Sequence, residues 1–232
     1  MNIPVTAPIH LLHAQPVGVL ATHARQSTGF PFPTVLSYAL DAHHRPVVLV
    51  SRLAEHTRNL AADSRAGFLV YDPAVDVSNA ERVTIVGRFE PTDEAGATLA
   101  RRYLRYHPEA EQYLALGDFV FYVLRPQRIR YIGGFGAMGW LDAAQWDGLP
   151  ALAEHEEQAL IDALTPSDAA ARGFRLLGVD RFGADWVQHG CRARVALNEP
   201  RNGLEALRAA LAAELRHRLT ARTVARSLRE II

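Results

Sequence analysis

Besides Glu55, six polar side chains fall within nine residues: Ser51, Arg52, His56, Thr57, Arg58 and Asn59. They belong to the stretch VVLVSRLAEHTRNL, which reads as a buried strand running into a short polar helix. A strand that ends in a hydroxyl and then opens a helix leaves backbone N–H groups free in the first turn, and such groups attract anions. Arg58 beside them can clamp a phosphate or carboxylate through two parallel hydrogen bonds. The plainer reading makes Ser51 an N-cap and places His56 and Arg58 on a wet helix face. On spacing alone the plainer reading is preferred, because caps are far commoner than anion sites.

Other residues offer weaker chemistry. Asp118 precedes a strongly apolar strand, where a carboxylate is either a turn residue or a buried acceptor that orients a ligand. Arg82 opens an alternating strand, ordinarily as a surface cation. If both faced one cavity they would form a charge-complementary pair. His155 stands in AEHEEQ among Glu154, Glu156 and Glu157. It is either part of a solvated acidic helix face or a metal ligand or acid/base group whose pKa those carboxylates raise. His10 and His13, and the turn pair His43–His44, lack the cysteine or carboxylate spacing of a structural zinc site. GGFG at 133–136 follows a strand without opening a helix, so it reads as a tight turn that packs Phe135 rather than a dinucleotide loop. None of the common nucleotide, zinc-protease, serine-hydrolase or redox motifs is present.

The whole chain narrows the function classes. Its 232 residues allow one large domain or two small ones. Formal net charge is zero, which argues against nucleic acid as the main partner. No apolar run is long enough for a transmembrane helix, and MNIPVTAPIHLLHAQP lacks the basic start of a signal peptide. Cys191 is the single cysteine, so an internal disulfide is excluded and a reducing, cytoplasmic compartment is expected; such a residue is more often buried than nucleophilic. There is no lysine, so cationic contact to an anion must come from arginine or protonated histidine.

The elements that must position these residues follow from periodicity. A helix is expected over 7–14, and strands over Val17–Thr22, Thr34–Leu40, Pro46–Val50 and Ala66–Tyr71. Pro31 and Pro33 place 23–33 in a loop. A helix is expected from Leu53 to Ala62. Over Arg82–Glu90, Val83, Ile85, Gly87 and Phe89 alternate with polar neighbours. A helix over Glu94–Tyr106 precedes strands over Phe119–Leu124 and Ile129–Ile132. Composition shifts near 142–150, which we take as a boundary between domains 1–142 and 150–232. Beyond it we expect a helix over Ala151–Leu164, strands over Phe174–Val179, Asp185–His189 and Arg192–Leu197, then helices over Leu204–Leu219 and Thr220–Ile232. The fold class is mainly β with an α+β second part: a small antiparallel barrel followed by a smaller α+β domain.

Five segments carry a family resemblance: LLHAQPVGVLAT, VLVSRLAEHTRNLAADSRAGFLV, RVTIVGR, GDFVFYVLRPQRIRYIGGFGAMGW and LLGVDRFGADW. Together they resemble the HugZ-type haem-utilisation family of the pyridoxamine 5′-phosphate oxidase-like, FMN-binding split barrels, with the small α+β domain often fused to them. The resemblance implies a homodimer with ligand sites at the subunit interface and FMN or haem as cofactor, although members differ and some bind neither. It implies that Ser51, Arg52, His56, Thr57, Arg58 and Asn59 face the flavin-phosphate site, that Arg82 and Asp118 lie near bound haem, and that His155 matches the iron ligand. Relatives commonly carry two histidines where this chain has His155 alone. The implied activity is that of an oxidoreductase, haem-degrading or FMN-dependent. The alternative is a non-catalytic regulator of tetrapyrrole metabolism, since a plant relative of this layout acts by binding a partner enzyme.

Overall fold

A computed structural model describes residues 3–74, 76, 78–92, 96–134 and 137–229. The chain divides into two compact units, 1–149 and 150–232. The first opens with α1 (Thr6–Ala14), β1 (Val17–His23), β2 (Pro31–Ser37), β3 (Ala39–Leu40), β4 (Pro46–Ser51) and α2 (Glu55–Ala62). It continues with β5 (Arg65–Tyr71), β6 (Arg82–Pro91), α3 (Gly96–Tyr106), α4 (Glu111–Leu114), β7 (Phe119–Ile132), β8 (Met138–Asp142) and α5 (Ala143–Asp147).

These strands form one antiparallel sheet in the order β2-β1-β5-β6-β7-β4-β3, with β8 paired to β7. β2 and β3 stand at the two ends of that path, yet only Tyr38 separates them in the chain. The sheet must therefore curl until its ends meet, which makes it a split barrel. Tyr38 is fully buried at the seam, and its hydroxyl donates to the Leu12 carbonyl at 2.5 Å. Inside lie Leu20, Phe68, Val83, Ile85, Phe89 and Leu124, with Phe68 edge-on to both Tyr38 and Phe89. On β6 the expected alternation holds: Val83, Ile85, Gly87 and Phe89 are buried.

Several expectations are corrected. Pro31 and Pro33 belong to β2, not to a loop; β2 ends the sheet path, where the N–H that proline lacks has no partner to lose. The strand expected over Thr34–Leu40 breaks at Tyr38, its first half pairing with β1 and its second with β4. The two strands expected over 119–132 are one, because the β6–β7 ladder absorbs Pro126 in an irregularity at Val86/Gly87. There a Cβ on Gly87 would lie 2.1 Å from the Arg125 carbonyl oxygen. Glu94, the expected start of α3, lies outside the described residues. So do Phe135 and Gly136 of GGFG; Gly133 and Gly134 turn β7 into β8, with Gly134 at φ +98°.

The second unit holds α6 (Glu154–Leu164), β9 (Phe174–Asp180), β10 (Gly183–Gln188), β11 (Cys191–Ala196) and α7 (Leu204–Arg229). The strands form a sheet ordered β11-β10-β9. Trp186, Phe174, Leu160, Leu207 and Leu211 share its core. The two C-terminal helices expected are the single α7, and the last expected helical residues, 230–232, lie outside the described ones. GVDRFG is the β9–β10 corner. Asp180 accepts from the Phe182 N–H at 2.7 Å, and buried Arg194 reaches both Asp180 and Asp185. Cys191 is exposed, contrary to the ordinary expectation for a lone cysteine, because it follows the turn residues His189 and Gly190 at the tip of a hairpin. Among the described residues no helix is long and apolar enough to cross a membrane.

Candidate functional site

β4 ends at Ser51, opposite Phe119 of β7. The Ser51 hydroxyl donates to Asp118 Oδ2 at 2.6 Å and accepts from the Leu53 N–H at 3.1 Å. The Arg52 N–H donates to the Asp118 carbonyl at 2.9 Å. Ser51 and Asp118 thus staple the exit of β4 to the entrance of β7. Ser51 is not the N-cap of α2; that residue is Ala54, which offers no side-chain acceptor to the first-turn amides. The first-turn amides therefore lack a cap from Ala54, although Glu55 places a carboxylate in that same turn.

α2 turns one side toward a cavity of about 340 Å³. Thr57, Arg58, Ala61 and Ala62 form one wall, Val120 and Tyr122 of β7 another, and Arg25 and Arg52 complete it. Among the described residues three guanidinium groups line this space and no carboxylate does. Thr57 is only 4% exposed, and its Oγ1 is buried without a hydrogen-bond partner. A buried hydroxyl left unsatisfied costs free energy unless a ligand or water meets it. Val120 and Tyr122 face the cavity because they sit two apart on β7, whereas Phe121 and Val123 pack with Leu99 and Tyr103 of α3.

The six clustered residues therefore divide. Arg52, Thr57 and Arg58 line the cavity, and Ser51 shapes the turn that delivers them. Asn59 is fully buried on the other side of α2, where its amide bonds Thr22 Oγ1 and the Arg25 N–H. His56 is half-buried, with Nε2 unpartnered, and burial lowers its pKa below the ordinary value. Arg25, Val120 and Tyr122 were not singled out in the sequence. No local signal marks them, because they reach the cavity from 33 residues before α2's Arg58 and from a strand more than 60 residues after it.

Arg82 and Asp118 do not meet within one chain. Arg82 pairs with Ile132 at the far end of β7, and Asp118 precedes its first residue. His155 is exposed on α6 in the second unit. Two of its acidic neighbours are engaged elsewhere: Glu156 caps the helix through the Ala153 N–H and pairs with Arg181, and buried Glu157 accepts from the Val179 N–H. The histidines set aside earlier include a buried pair, His13 and His44, whose ring nitrogens lie 2.9 Å apart.

Residues 8–147, more than half of the chain, match the family model described as "CREG, beta-barrel". The chain is 30% identical over 132 residues to the chloroplastic non-canonical heme oxygenase HOZ of Arabidopsis thaliana; the match covers 56% of this chain and 40% of that protein's length. Among solved structures it is similar to a heme binding protein from Mycobacterium smegmatis, at 28% identity and TM-score 0.59, covering 95% of this chain and all of that one. A protein of unknown function from Agrobacterium tumefaciens, 22% identical with TM-score 0.71 over 88% and 92% of the two chains, supports the fold alone.

Proposed function

From its membership of the CREG β-barrel family, to which this chain belongs, we propose that it is a haem-handling split-barrel protein related to haem-degrading oxidoreductases. The observation that carries the reading is the cavity lined by Arg25, Arg52, Arg58 and Thr57, whose buried hydroxyl has no partner. That donor set, beside an uncapped helix start and an apolar wall, suits the anionic group of a planar cofactor. The haem named for two relatives supplies propionates; His155 is the candidate iron ligand, and Arg82 and Asp118 are candidates for groups near the ring. Arg82 and Asp118 reach one pocket only if a second copy of the chain contributes, so the reading includes a homodimer. When bound, the cofactor supplies the redox chemistry; the chain holds it, orients it and sets the polarity around it.

FMN is the second reading. The compactness of the cavity favours it, since three guanidiniums and one hydroxyl around about 340 Å³ match a single phosphate group. A visible absorption titration with haemin and, separately, with FMN tests both. Saturable haem uptake whose Soret band shifts or vanishes in His155→Ala supports the haem reading; an unaltered band assigns the iron elsewhere. FMN uptake weakened by about 1.5–3 kcal/mol in Arg58→Ala, the scale of one charged hydrogen bond, supports the flavin reading. Uptake of neither moves the assignment to a non-catalytic regulator that acts on a partner protein.

A further inference from the structure

Asn59 was grouped by sequence with the anion-facing residues, yet its side chain is fully buried and points away from the cavity they line. Its Oδ1 accepts from the backbone N–H of Arg25 at 3.1 Å, and its Nδ2 donates to Thr22 Oγ1 at 3.0 Å. The Thr22 hydroxyl in turn donates to the Phe32 carbonyl at 3.4 Å. Thr22 is next to last in β1, Phe32 is second in β2, and Arg25 lies in the loop between these strands. The amide thus joins the loop that carries one cavity arginine to the helix that carries another, Arg58, the residue just before it.

We infer that Asn59 is a positioning residue: it fixes Arg25 against α2, and through that link sets the spacing of the Arg25 and Arg58 guanidiniums around the bound anion. The physical ground is the cost of loose cations. Two long side chains held at a fixed separation meet an anion without first losing freedom, whereas an Arg25 on an untethered loop must be ordered on binding. An amide suits the role because it donates and accepts at once, and a buried 0%-exposed amide with both ends bonded has little freedom to turn. The inference rests on reading the cavity as the site of the cofactor's anionic group.

The test is a double-mutant cycle on Arg25→Ala and Asn59→Leu, read by titration with FMN and with haemin in separate arms, with thermal unfolding of every variant alongside. Each single variant is expected to weaken the cofactor that the wild type takes up by about tenfold, the scale of one charged hydrogen bond. The double variant should be no weaker than the weaker single one, because both changes remove the same contact. Thr22→Val should reproduce Asn59→Leu, and Thr22→Ser, which keeps the hydroxyl, should restore wild-type affinity. That Thr22 pair carries the test if Asn59→Leu fails to fold. Losses that multiply in the double variant, or a lowered Tm with affinity intact, overturn the inference while leaving the anion site standing. A wild type that takes up neither FMN nor haemin overturns the anion site itself, and this inference with it.

Discussion

At the scale of single residues, the site is defined by which polar groups have partners and which do not. Ser51 donates to Asp118, and Asn59 is bonded at both ends. Thr57 Oγ1 and His56 Nε2 are buried and unpartnered one residue apart at the start of α2. The consequence for His56 is a pH dependence with a definite sign. Burial disfavours the imidazolium, so its folded-state pKa lies below the ordinary 6.5 of the unfolded chain. In the window between those values the unfolded chain binds more protons. The stability held by the neutral ring is complete above about pH 6.5 and is lost as pH falls toward the folded-state value. His56→Gln should therefore flatten the decline of Tm between about pH 7 and pH 5. Parallel Tm profiles for the two proteins would show that His56 does not set this slope.

At the scale of elements, what the sequence made legible is what is local. The β6 alternation, the strand-to-helix step at Ser51 and the hairpins of the second unit follow from patterns a few residues long. What it hid depends on pairing. Pro31 and Pro33 read as loop residues because nothing local says that β2 ends the sheet, and Pro126 reads as a break because its partner, Gly87, lies 39 residues earlier. Asn59 and Arg58 look equivalent in the sequence, and only the packing of α2 on β1 sends one inward and the other to the cavity. Arg25 and Tyr122 belong to the site by tertiary placement alone. Gly87 offers a test of the pairing. A Cβ there would stand 2.1 Å from the Arg125 carbonyl oxygen, a backbone atom that cannot swing aside. Gly87→Ala should lower stability by about 1–3 kcal/mol, the usual cost of overpacking. Chemical denaturation measures this, and an unchanged midpoint would mean that the β6–β7 irregularity relaxes freely.

At the scale of the molecule, one face of the barrel sheet carries exposed apolar side chains among the described residues. Strand register aligns Val35, Val19, Leu69, Thr84, Arg130 and Trp140 across six strands, so these side chains share a face. Val17, Val86 and Met138 extend it by two-residue steps along their strands. Val35 is 67% exposed and Trp140 46%, with the Arg128 guanidinium stacked on the indole at 4.3 Å. Exposed apolar side chains gathered on one sheet face are what an association surface would cover. The proposed site makes the same demand: if Arg82 and Asp118 share one pocket, their separation along β7 requires Arg82 of one chain and Asp118 of the other. We therefore expect a homodimer that closes this face, burying on the order of 800 Å² per copy if it is a stable interface. Val35→Asp with Val86→Asp places two carboxylates on solvent-facing positions of the single chain, so the barrel should fold while association fails. Sedimentation velocity should then read a dimer for the wild type and a monomer for the variant. Haemin or FMN uptake should fall with the dimer, since the reading builds the site from both chains. A wild type that sediments as a monomer at every concentration would remove the second copy. A monomeric variant with full cofactor affinity would keep the dimer and return the whole site to one chain.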